Sequence, residues 1–202
     1  MSSAPASAHL LKRQLKEMQN NKDIPGISCG LHKDNIYDWE VMLMVSDDVK
    51  YYGGTTVPIW VVRPDRKSGI ESSLKGSKML ITSRLGGFFK ARLIFPKEYP
   101  LMPPEMKFES PIWHPNIYPE GKVCISILHP PEEDKYGYES AAERWLPVHT
   151  PETILVSVLS MLSSPNDESP ANLDAAKMWR ENLPEFKKKV RKCVRDSLED
   201  AF

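Results

Sequence analysis

His114-Pro115-Asn116-Ile117-Tyr118-Pro119-Glu120-Gly121-Lys122-Val123-Cys124-Ile125-Ser126-Ile127-Leu128 decides the reading of this chain. Pro115 and Pro119 cannot sit inside a helix or a central strand, because proline lacks the backbone donor, and Gly121 permits a tight turn. Val123 to Leu128 then forms a short apolar segment. Cys124 therefore falls where an irregular loop passes into ordered structure, a position that exposes a sulfur yet holds it still. Taken alone, an unpaired cysteine in an apolar run is more often a buried small hydrophobe than a nucleophile.

Two further motifs flank this stretch: Tyr99-Pro100-x-x-Pro103-Pro104 before it and Trp145-x-Pro147 after it. His-Pro-Asn, seven residues, then Cys closely resembles the active-site signature of ubiquitin-conjugating enzymes, and the flanking motifs follow in that family's order. The resemblance covers roughly 8–54 and 86–202. It implies an α+β fold with an N-terminal helix, an antiparallel meander sheet, a central helix and two C-terminal helices. It also implies that Cys124 takes ubiquitin from the activating enzyme as a thioester. Ubiquitin then passes to a lysine of a substrate or of another ubiquitin, usually with a ligase, of the RING type first of all. Asn116 matches the residue assigned to the oxyanion, acting directly or by holding the loop in shape. His114 matches a structural residue that ties the loop together and is not a general base. Many members carry an aspartate after the central helix; the aligned position here is Ser169, which leaves a hydroxyl in place of a carboxylate. No metal or organic cofactor is implied, and ATP is consumed upstream by the activating enzyme.

Twenty residues separate Cys124 from Trp145, about a dozen more than in the commonest members. This loop, His129 to Glu139, is acidic and resembles the insertion of the G-type subfamily, which sits beside the catalytic cysteine. Glu132, Glu133 and Asp134 are thus candidates to gather a lysine or order the donor ubiquitin; a solvated surface loop is the alternative. The family docks its activating enzyme and ligases on the basic side of the first helix, here Lys12, Arg13 and Lys16. Ligases also use two hydrophobic loop tips, here Leu101 and Pro147-Val148. Apolar residues beside prolines could equally be core plugs.

The composition, 41% hydrophobic and 27% charged over 202 residues, is that of a soluble globular protein. Net charge is zero, so nothing global points to nucleic acid. Three cysteines without Cys-x-x-Cys pairs argue against a disulfide framework or structural zinc. No apolar run approaches the ~20 residues of a membrane span. A reducing compartment, cytosol or nucleus, is expected.

Leu11, Leu15 and Met18 mark a short amphipathic helix. Ile36–Met44, Phe88–Phe95 and Glu105–Phe108 read as strands, with Val45–Gly54 as a turn. Thr150-Pro151 caps a helix over Ile154–Leu162 that is apolar almost all round and should be covered on most sides. Ser169-Pro170 is expected to start the next helix. Pro184 opens the last, with Phe186, Val190, Cys193, Val194 and Leu198 as one stripe. The order is α+β.

One stretch does not fit. Thr55 to Leu85 lies between Gly53-Gly54 and Gly86-Gly87, where the family runs straight on, and carries six basic residues against two acids. The expectation is a single core domain over 1–202 interrupted at about 55–85. A family-specific loop, a basic partner-binding insert and translated intron sequence all remain open. Two rival functions also stand at this point: a catalytically silent adaptor, and a cysteine hydrolase, for which no acid-oriented histidine partner can be identified.

Overall fold

Leu11 and Leu15 lie one helical turn apart and both are buried, which seats helix α1 (Ala6–Asn20) on the core. Lys12, Arg13 and Lys16 occupy its exposed side. The computed structural model describes residues 5–21, 26–45, 86–131 and 142–200. The segment Thr55–Leu85, and with it the expected interruption of the domain, lies outside the described residues. So do Glu132, Glu133, Asp134 and most of the Val45–Gly54 turn.

The sheet is an antiparallel meander of four strands in the order β1 (Ile27–His32), β2 (Asn35–Val45), β3 (Gly87–Ile94) and β4 (Glu105–Phe108). Three of these match the sequence reading; β1 was not anticipated. Gly30 and Cys29 give it a weak strand signature, and pairing with β2 through Cys29↔Val41 and Leu31↔Trp39 supplies what local preference does not. Across β2 and β3, Trp39↔Leu93, Val41↔Ala91 and Leu43↔Phe89 stand opposite each other. All six side chains are buried on one face, as the two-residue period of a half-covered sheet requires.

Helix α2 (Pro151–Ser163) begins at the expected cap: Thr150 accepts from the Thr153 N–H, and Thr153 reaches back to Thr150. Ile154, Leu155, Val158, Met161 and Leu162 are buried, but Val156 is 46% exposed. The helix is covered on one broad side, not most of the way round. Helix α3 (Leu173–Glu181) starts later than Ser169-Pro170 suggested. The N–H groups of Ala171 and Asn172 both donate to Pro115 O, at 2.8 and 2.9 Å, which holds this segment against the His-Pro-Asn loop. Asn172 then caps the helix by accepting from Ala175 N–H. Helix α4 (Leu183–Glu199) is capped by Asn182; Phe186 and Val190 are buried, with Cys193 and Val194 packed beside them.

Candidate active site

Between Ile117 and Val123, which pair as an isolated bridge, the chain makes the tight turn that Gly121 allows. Gly121 has φ +93°, and a Cβ there would stand 2.2 Å from Phe108 O. Only glycine satisfies both the left-handed conformation and that approach. Phe108 N–H donates to Gly121 O and Val123 N–H to Met106 O, each at 2.9 Å, so the turn is fastened to β4. Cys124 N–H donates to Asn116 O at 3.0 Å. The sulfur follows directly on this frame and is half-buried, just before a 3-10 turn over Ser126–Leu128.

His114 and Asn116 are both buried. His114 Nδ1 accepts from Asn116 N–H at 3.0 Å, which leaves Nε2–H to donate to Met161 O at 3.1 Å. Burial pushes the imidazole down to about 3, so it is neutral across the physiological range. It therefore links the loop to the end of α2 as a fixed neutral tautomer. The Asn116 carboxamide is engaged in both directions by one residue: Nδ2 donates to Asn166 O at 2.6 Å and Oδ1 accepts from Asn166 N–H at 2.8 Å. With the two bonds to Pro115 O, this clamps the 163–172 segment onto the loop. Ser169 lies exposed on that clamped segment.

Cys124 also lines a groove of about 520 Å³ whose walls do not include His114 or Asn116. Its apolar wall includes Met102, Pro104, Met106 and Leu128, and its polar groups are Glu98, Glu105, Tyr118, Lys122 and His129. His129 Nε2 stands 3.5 Å from Cys124 Sγ. The Tyr118 phenol is pushed up from its ordinary value, first by the charge of the Cys124 sulfur and then by a hydrogen bond to it. Lys122 is raised as well, chiefly by its hydrogen bond to Glu105, at 2.6 Å. The other two cysteines sit in different surroundings. Burial pushes Cys29 up to about 12 and raises Cys193, which makes both poor thiolates near neutral pH.

The two loop tips are exposed, Leu101 by 66% and Val148 by 76%, with Pro147 exposed between Leu146 and Val148. They are not core plugs. Buried Trp145 brings their loops together: its indole N–H donates to Pro100 O at 2.9 Å, and its backbone N–H to His129 O at 3.1 Å. Tyr99, packed against Trp145, donates its hydroxyl to Gln14 on α1 at 2.8 Å. The first helix, both tips and the residue beside the sulfur thus share one set of contacts.

His129 is the residue that sequence reasoning missed. It was read as the start of the acidic loop, and its approach to the sulfur depends on the 3-10 turn that intervenes. A histidine five positions beyond a candidate nucleophile, across one turn, was the available signal.

Comparison with known proteins agrees with this geometry. The ubiquitin-conjugating enzyme family pattern matches residues 81–194. The chain is 54% identical over 195 residues to ubiquitin-conjugating enzyme E2 15 of Schizosaccharomyces pombe, covering 96% of each sequence. It is 41% identical over 191 residues to human ubiquitin-conjugating enzyme E2 G2, covering 93% of this chain and 96% of that one. The solved structure of human ubiquitin-conjugating enzyme E2 G1 is similar at a TM-score of 0.52 and 39% identity, over 81% of this chain and all of that one. The chain belongs to the ubiquitin-conjugating enzymes and is related to their G-type members. It is a transferase of the ubiquitination pathway, which removes the adaptor and hydrolase readings.

Proposed function

We propose that Cys124 is the thioester-forming residue and that the turn between Asn116 and Cys124 presents its sulfur to two successive partners. The observation that carries this reading is the frame itself. Cys124 lines a groove and is hydrogen-bonded through its backbone to Asn116, while burial raises the other two thiols. A thiolate both attacks the incoming thioester and leaves when an amine attacks in turn. The amine attack passes through an oxyanion, and Asn116 serves it directly or by holding the 163–172 segment against the loop. His114 maintains the loop and takes no proton. Ser169 on that segment and the acidic residues Glu132, Glu133 and Asp134 form the acceptor-side gate.

Lys12, Arg13 and Lys16 with Leu101, Pro147 and Val148 form the docking surface for the activating enzyme and a RING-type ligase. Exposure of both tips and their link through Trp145 support this. No cofactor is held at the site; ATP acts upstream. A working thiol fits cytosol or nucleus. Incubation with ubiquitin, activating enzyme and ATP, read on a non-reducing gel, tests the reading: a ubiquitin adduct that reductant removes supports it, and its absence overturns it.

A further inference from the structure

Two backbone hydrogen bonds fix His129: its N–H donates to Ser126 O at 2.9 Å, and its carbonyl accepts from Trp145 N–H at 3.1 Å. Any residue could make these. They leave the imidazole available for side-chain contacts, and its Nε2 stands 3.5 Å from Cys124 Sγ. We propose that His129 is a catalytic partner of Cys124, accepting the thiol proton when ubiquitin is loaded and donating to the sulfur when ubiquitin leaves. This rests on Cys124 being the acceptor.

Among the described residues, the surroundings favour His129 over the other titratable groups near the sulfur. From the tight turn come Tyr118, Lys122 and, beside Tyr118, Glu120; from β4 comes Glu105; from the loop before it comes Glu98. Lys122 also interacts electrostatically with the Cys124 sulfur, but it is raised, chiefly by its hydrogen bond to Glu105 at 2.6 Å, and so keeps its proton and cannot take one from the thiol. The raised Tyr118 phenol keeps its proton near neutral pH and serves as a donor to sulfur, not as a base. Among these described residues, histidine is the side-chain type whose unperturbed titration range brackets neutrality, which suits it to carry a proton in either direction.

In loading, the Cys124 S–H proton moves to His129 Nε2. The sulfur's electron pair forms the new bond to the ubiquitin carbonyl carbon. The bond from that carbon to the activating enzyme's sulfur breaks, and its electron pair leaves with that thiolate, which takes up a proton from solvent. In discharge the amine nitrogen bonds to the same carbon and releases its proton to water. The carbon–sulfur bond breaks, and the pair returning to Sγ is met by the imidazolium N–H. An opposite charge this close shifts a thiol by about one to three pH units.

The test is the pH dependence of Cys124 alkylation by iodoacetamide in a Cys29→Ser/Cys193→Ser background, comparing His129 with His129→Gln, which keeps a neutral donor but does not titrate. The expected result is a midpoint about one pH unit higher in His129→Gln. Thiolate fraction then falls about tenfold below the midpoint, partly offset by the greater intrinsic nucleophilicity of the more basic sulfur. Superimposable profiles, or a lower midpoint, overturn the proposal. A second measurement leaves His129 in place: its imidazole, followed by NMR, should titrate at lower pH in Cys124→Ser than in the native chain, and an unchanged titration also overturns the proposal. Neither readout involves ubiquitin. A failure of both with a normal reducible adduct removes His129 alone, whereas loss of the adduct removes the Cys124 assignment.

Discussion

The two sides of Cys124 are built on opposite principles. On one, His114 and Asn116 are buried, their side chains bond to the backbone of Asn116, Met161 and Asn166, and burial pushes the imidazole down to about 3, so it stays neutral. On the other, the polar side chains of Tyr118, Lys122 and His129 line a groove and interact with the sulfur itself. The first side resists change in shape; the second can respond to pH, to a partner or to an acceptor. A sulfur that must meet two different carbonyl and amine partners in turn benefits from having one wall rigid and the other adjustable.

The contrast is sharpest at Asn116. Removing its carboxamide by Asn116→Ala releases Asn166 from the loop and leaves loading nearly normal, because the oxyanion of the amine attack forms only in the second step. Discharge onto lysine should slow by about 10²–10³. Single-turnover loading and discharge, measured separately, check this. Equal losses in both would make Asn116 a general folding residue and erase the distinction between the walls.

The next effect is on stability. His114 has a folded-state value of about 3, below its ordinary 6.5, so the unfolded chain binds a proton that the native fold refuses. Stability therefore falls as pH drops below about 6.5, by about 1.4 kcal/mol per unit, and levels off near 3. Urea unfolding at pH 7 and pH 5 should differ by about 2 kcal/mol more in the native chain than in His114→Asn. Equal pH dependence in the two would mean that His114 titrates in the fold and that the rigid wall is not rigid in this sense.

The smallest effect belongs to the acidic loop. Replacing Glu132, Glu133 and Asp134 together by Ala should slow ubiquitin–ubiquitin transfer more than loading, by a few-fold, and added salt should shrink the difference through screening. An unchanged ratio would return these residues to a solvated surface.

How much of this was legible in the sequence follows from which interactions are local. The Gly121 turn, the Thr150-Pro151 cap and the alternation in β2 and β3 were readable because each depends on neighbours a few residues away. The frame around Cys124 was readable through its resemblance to a known family. What escaped depends on distant partners. β1 owes its existence to β2. The start of α3 lies at the Asn172 cap, on a segment whose Ala171 and Asn172 N–H groups are held by Pro115 O, a partner far away in sequence. The approach of His129 to Cys124 requires the 3-10 turn between them, and that turn is held on its far side by Trp145.

The central claim is that Cys124 alone carries ubiquitin, and cysteine-by-cysteine substitution tests it most directly. With activating enzyme, ubiquitin and ATP on a non-reducing gel, Cys29→Ser and Cys193→Ser should form the same reducible adduct as the native chain. Cys124→Ser should form a reductant-resistant oxyester or none. A reducible adduct on Cys124→Ser would contradict the account.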